Sequence, residues 1–170
     1  MNFMKEWIRK DMVCLGLLFL LASALLGFEL GKMGFLDPDE PFYSLTAKEM
    51  LQSRDPWTPR MFGQPQFEKP ILFYWVLYAA FKLLGISEFS ARLGPCIAGI
   101  LTVLVVYLWG RILFKRAEPA FLSAAILVSG GQFIVLSRVV LTDIFLCLFV
   151  TASLASFSWG YASPARRLFA

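Results

Sequence analysis

KPILFYWVLYAAFKLLG, residues 69–85, decides how this chain meets a membrane. The stretch is apolar, yet only twelve uncharged residues separate Lys69 from Lys82. A helix that crosses the hydrocarbon core needs roughly 17–25. Phe73, Tyr74, Trp75 and Tyr78 are the aromatic types that collect at the membrane–water boundary. The segment therefore reads as a helix over 70–84 lying in the interface, not as a span.

Composition makes a membrane the only workable solvent. Hydrophobic residues are 58% of the 170 and charged ones 16%, against roughly 45–50% and about 25% in a soluble domain. A fold of this length cannot cover so much apolar surface by itself. The net charge of +4 is scattered, without a Lys/Arg block, so nucleic acid is excluded as a partner and membrane lipids are required. Cys14, Cys96 and Cys147 all sit in apolar runs, with no CxxC, and the chain has no histidine. A Cys/His zinc site is thereby excluded.

Spans are expected at about 12–34, 91–114, 119–137 and 141–161. Lys5, Arg9 and Lys10 before the first place the N-terminus in the cytoplasm. Ala22-Ser23-Ala24 resembles a signal-peptide cleavage site, but the apolar run continues past it. With four spans, Arg111, Lys115, Arg116, Arg166 and Arg167 are cytoplasmic and residues 35–90 form one large external loop. Arg92 and Arg138 then fall outside, with Glu88 the expected i,i+4 partner of Arg92. Within the loop, Asp37, Pro38 and Glu40 read as the N-cap, N1 and N3 positions of a helix. RDPWTPRMFGQPQ, residues 54–66, reads as irregular loop.

Three charged constellations share the outer face. Asp39 and Glu40 follow the first span, either as helix-capping acids or as reacting carboxylates. Glu68 and Lys69 stand where the loop returns to the membrane. There a carboxylate suits a divalent cation and an ammonium suits a phosphate, although an ordinary interfacial pair explains them too. Arg138 and Asp143 flank the last span boundary, as a functional pair at membrane depth or as a structural pair closing a hairpin. Carboxylates plus cations, with no Gly-rich phosphate loop, suit a reaction on a lipid-linked phosphate.

LDPDEPFYSLTAKEML, FEKPILFYWVLYAAFKLLGISEFSARL and SRVVLTDIFL, in this order across residues 36–146, resemble the N-terminal part of bacterial polyprenyl-phosphate-dependent GT-C glycosyltransferases. The likeness is to the ArnT-like aminoarabinose transferases, within the group that includes protein O-mannosyltransferases. It implies an all-α integral membrane bundle, with juxtamembrane helices in the first external loop. It also implies an inner-membrane enzyme that moves a sugar from a polyprenyl-phosphate carrier to a lipid, glycan or protein acceptor on the periplasmic face. By that resemblance Asp39, with Glu40 beside it, and Asp143 are catalytic, Glu68 is a ligand of a divalent metal ion, and Lys69 contacts the carrier phosphate. Arg138 joins Lys69 as a phosphate-binding candidate from its position.

Family members are several times longer and carry a later metal-ligating His that this chain lacks. Residues 1–170 are therefore expected to be the N-terminal part of a GT-C domain whose remainder is missing or supplied by a partner chain. The competing reading is a non-catalytic truncated membrane protein acting as a scaffold or subunit.

Overall fold

The computed structural model describes residues 2–32, 34–35 and 39–162, with side chains from residue 9 to residue 161. The expected N-cap Asp37 and N1 Pro38, and the basic residues Lys5, Arg166 and Arg167, lie outside the described residues or side chains.

Among the described residues seven helices and one small hairpin follow in chain order: α1 (Asn2–Gly27), α2 (Asp39–Ser53), β1 (Arg60–Met61), β2 (Gln64–Pro65), α3 (Ile71–Leu84), α4 (Glu88–Phe114), α5 (Ala117–Ser129), α6 (Gly131–Arg138) and α7 (Asp143–Ala162). Three segments among the described residues are long and apolar enough to cross a membrane: Arg9–Gly27, Glu88–Phe114 and Asp143–Tyr161. The fourth expected span is two helices, α5 and α6, bent by 65° at their junction. Ser129-Gly130-Gly131 is the cause, because two glycines without a β-carbon leave the helix unsupported there.

The first helix stops at Gly27, short of the expected residue 34. Glu29 takes a left-handed conformation with φ of 52°, and the chain leaves through short turns such as Leu30 N–H to Gly27 C=O, 3.3 Å. α3 has 14 residues, about 21 Å at 1.5 Å per residue. That is too short for the hydrocarbon core, as its two lysines imply.

α4 is the central post. Ser87 and Ser90 cap its start reciprocally, with Ser90 N–H to Ser87 Oγ at 3.2 Å and Ser87 N–H to Ser90 Oγ at 3.0 Å. Its end is fixed by Lys115 in the left-handed region. One apolar core joins Leu18, Ala22 and Leu26 of α1, Val103 and Tyr107 of α4, and Ala120, Ala124 and Val128 of α5. At the carboxyl end of α4, Arg111 grips Asp11 of α1 with two nitrogens, at 2.7 and 3.0 Å. Large apolar side chains on the outward faces of α1 and α7, such as Phe19, Leu20, Phe149 and Phe157, remain exposed. This is expected where lipid or further helices complete the solvent.

Close helix approach depends on small residues. A β-carbon at Gly99 would lie 2.5 Å from Ser137 Oγ of α6 and 3.0 Å from Leu26 Cδ1 of α1. Gly99→Ala is expected to lower stability by about 1–3 kcal/mol through overpacking, read as an earlier thermal unfolding midpoint in detergent. An unchanged midpoint would mean that α6 yields freely.

A second core lies near the amino end of α4. Tyr43, Ala47 and Met50 of α2 pack on Phe73, Tyr74, Leu77 and Phe81 of α3, with Ala91 of α4 and Val140 of the α6–α7 connection. The segment read as plain loop contains the β1–β2 hairpin, paired antiparallel as Arg60–Pro65 and Met61–Gln64. Phe62 and Gly63 both take positive φ, 52° and 76°, the requirement of a two-residue turn matching strand twist. Glu49 of α2 holds it, accepting Phe62 N–H at 2.8 Å and Gly63 N–H at 3.0 Å. No local pattern announces a hairpin whose strands are two residues each.

Candidate functional site

α2, the loop before α3, and the start of α7 converge around this second core. Asp39 opens α2 and Asp143 opens α7, and both are exposed. A carboxylate in the first turn suits the positive end of a helix dipole. The two helix starts are tied together by side chains between them. Tyr43, one turn after Asp39, meets Phe73 edge-on at 5.1 Å between ring centres, and Phe73 meets Phe145 of α7 at 5.4 Å.

Lys69 is half-buried beside this aromatic wall, its Nζ 5.7 Å from the centre of the Tyr43 ring. The Lys69 ammonium is held above its ordinary pKa, first by its contact with the Tyr43 hydroxyl and then by the charges of Asp39 and Asp143, while burial works the other way. One cation thus lies within electrostatic reach of both carboxylates. Beneath it Tyr74 is fully buried, and burial above all pushes its phenol up to about 12, keeping it neutral. Tyr43 and Tyr74 are site residues that sequence reasoning missed. The available signal was Tyr43 at i+4 from Asp39, on the same helix face.

The other expected residues stand differently. Glu40, expected as a catalytic carboxylate, is wholly buried and paired with Arg92 of α4, Nε to Oε1 at 3.0 Å. Arg92 therefore pairs across 52 residues with Glu40, and not with Glu88 one turn away. Arg138, expected beside a phosphate or paired with Asp143, donates instead to the carbonyls of Leu25 at 3.0 Å and Phe28 at 2.6 Å. Those carbonyls are at the carboxyl end of α1, where helix geometry leaves acceptors open and a cation is favoured. Arg92 and Arg138 line a cavity of about 220 Å³ with Glu29, Leu30 and Val139.

Glu68 is exposed. Among the described residues no group of three or more His, Cys, Asp or Glu converges where a metal ion would sit. These residues do not by themselves fit a resident divalent ion, for which a single carboxylate is too few protein ligands unless water or substrate supplies the rest.

Residues 13–168 match the sequence profile of the dolichyl-phosphate-mannose-protein mannosyltransferase (PMT) family. The chain belongs to this family. Curated relatives of this PMT-family chain include an undecaprenyl phosphate-alpha-4-amino-4-deoxy-L-arabinose arabinosyl transferase of Edwardsiella ictaluri. That relative is 38% identical over 133 residues, covering 76% of this chain and 24% of the relative. A second arabinosyl transferase of the same description, from Proteus mirabilis, is 32% identical over 132 residues, 78% of this chain and 24% of the relative. The crystal structure of ArnT from Cupriavidus metallidurans bound to undecaprenyl phosphate superimposes with a TM-score of 0.73 at 25% identity. The match covers 88% of this chain and 26% of that one. The PMT-family chain thus has the ArnT-like, GT-C type of membrane helix bundle, and spans about a quarter of the length of the relatives it matches.

Proposed function

We propose that this chain carries the donor-phosphate end of a bacterial inner-membrane glycosyltransferase, which moves a sugar from a polyprenyl phosphate to an acceptor at the outer, periplasmic face. The observation that carries the reading is Lys69, cationic beside Tyr43 with Asp39 and Asp143 close enough to raise its pKa. A strong cation between two exposed carboxylates at the membrane boundary suits a lipid-borne phosphate leaving group facing an acceptor. The relatives' names, which specify undecaprenyl-phosphate donors, support the same donor class.

In this mechanism Lys69 donates to the phosphate oxygens and neutralises the charge that develops on them as the glycosidic bond breaks. Asp39 accepts the acceptor's proton as general base, or steers an acceptor that is already anionic. Asp143 stands across the site as a second carboxylate, and the aromatic wall of Tyr43 and Phe73 keeps water from one side. A divalent ion at Glu68 would supply Lewis-acid charge and would need further ligands beyond the described residues.

The test is binding of polyprenyl phosphate to the protein purified from its native membrane. Lys69→Ala is expected to weaken binding by about ten- to a hundredfold, the loss of a charge-assisted contact. Unchanged binding would overturn the donor-phosphate assignment. The upward shift of Lys69 from 10.5 also fixes a sign. The binding form is the protonated one, so affinity should stay level across the neutral and mildly alkaline range and fall only above the ordinary lysine value. A fall centred near pH 8 would assign the phosphate to a different cation.

The orientation is tested separately. A thiol reagent that cannot cross the membrane is expected to modify a cysteine placed at Ser53, at the end of α2, but not one at Ala117, at the start of α5. The reverse pattern would invert the assignment of the outer face.

A further inference from the structure

We propose that Glu40 is a positioning residue. With Arg92 it forms a buried clamp that fixes the start of α2 against the α6–α7 connection, and so sets the geometry between Asp39 and Asp143. The inference rests on the reading of those two carboxylates given above.

The contacts point one way. Glu40 has no exposed surface, and the Arg92 side chain is 4% exposed. Oε1 of Glu40 accepts from Arg92 Nε at 3.0 Å and from the Val140 N–H at 2.9 Å, and Oε2 accepts from Arg92 Nη2 at 3.0 Å. Both oxygens are thus turned inward onto donors. A carboxylate so enclosed is closed to an acceptor substrate, because no part of its side chain reaches the surface.

Arg92 spends its remaining reach on a third segment. Nη1 donates to Leu30 C=O at 3.3 Å and Nη2 to Gly34 C=O at 2.8 Å, and the guanidinium lies 5.7 Å from the Phe35 ring. Two side chains therefore join the exit of α1, the start of α2, the body of α4 and the approach to α7. Asp39 is the neighbour of Glu40. Asp143 follows Val140 by three residues, at most about 11 Å of chain. Any shift of the Glu40 carboxylate is transmitted to both candidate reacting groups over very short paths.

A buried ion pair is weak grounds for stability, because desolvation offsets much of the attraction, and its best-attested use is to fix registry. Here registry is what the site needs: two carboxylates carried by different helices, 104 residues apart in sequence. A misplacement of about 1 Å costs on the order of a hundredfold in rate.

The experiment uses the protein purified from its native membrane, carrying Glu40→Gln, the double change Glu40→Gln/Arg92→Met, or Asp39→Asn. The double variant removes both charges while Gln keeps an amide oxygen for the Val140 N–H, so it is the one chosen to fold. Sugar transfer and pH profiles are measured for each. Spin labels on cysteines placed at Pro41 and Thr142, with Cys14, Cys96 and Cys147 changed to Ser, report the separation of the two helix starts.

The double variant is expected to lose about a hundredfold in kcat, with donor KM nearly unchanged, both limbs of the pH profile kept, and a broadened label-to-label distance. Loss of a pH limb in Glu40→Gln would make Glu40 a reacting group and overturn the proposal. So would wild-type kcat in the double variant, or a kcat loss with an unbroadened distance. If the parent protein transfers no sugar but its narrow distance broadens in the double variant, the clamp stands and the proposed reaction falls.

Discussion

Asp39→Asn is expected to lower sugar transfer by about 10²–10⁴-fold, the usual contribution of a positioned general base. Asp39 is exposed at the first position of α2, so the amide replaces it without a packing change and the bundle stays folded. The ability to take a proton and the negative charge that acts on Lys69 are lost. Two consequences separate these effects. Loss of the base lowers kcat and removes the acid limb of its pH profile. Loss of the charge also lets the Lys69 pKa relax toward the ordinary value, because Asp39 is one of the groups that raise it. Transfer within a factor of two of the parent would remove Asp39 from the chemistry. Asp143 would then be the base to test next, since it faces the same ammonium from α7.

Arg92→Met is expected to be the most destabilising single change at the outer end. It leaves the Glu40 carboxylate with no exposed surface and without its guanidinium partner. Removing one member of a buried ion pair costs about 3–5 kcal/mol, since the remaining charge is uncompensated. The carbonyls of Leu30 and Gly34 lose donors at the same time, adding to the loss. Neutralising both members together is much milder, because no charge is then stranded. The expected order of unfolding midpoints in detergent is therefore parent, then Glu40→Gln/Arg92→Met close behind, then Arg92→Met far below. A single variant no worse than the double would mean that the Glu40 carboxylate reaches water or another cation once Arg92 is gone.

The two effects differ in kind. In the proposed reading Asp39 acts where the chain meets substrate. Glu40, its neighbour, lies entirely inside and bonds to Arg92 of α4 and to Val140 before α7. Along an α-helix adjacent residues point about 100° apart, so an Asp-Glu pair at a helix start can put one carboxylate into solvent and the other into the core. On the proposed roles, this division gives the Asp39-Glu40 pair after the first span two purposes: one member faces the reaction and the other holds it in place.

What the sequence determined by itself was everything that is a sum over neighbours. Hydropathy placed the membrane segments, because the cost of burying charge in lipid is paid residue by residue along a helix. The spacing of Lys69 and Lys82 ruled out α3 as a span for the same reason. The candidates Asp39, Asp143 and the half-buried Lys69 stood out in the sequence because a charge beside an apolar run is conspicuous. Tertiary structure alone decided the partners. Arg92 could not be assigned to Glu40 from spacing, because Glu88 is nearer in sequence and equally acidic. Only the packing of α2 on α3, and of α3 on α4, brings Glu40 to Arg92. Arg138 likewise resembles a phosphate ligand until α1 presents its open carbonyls 110 and 113 residues away. The break at Gly130 and the two-residue hairpin strands lie between these limits, with local cause but no local periodicity. A hydrophobic pattern records which side of a residue is dry. Which charge meets which across a fold depends on where whole helices come to rest.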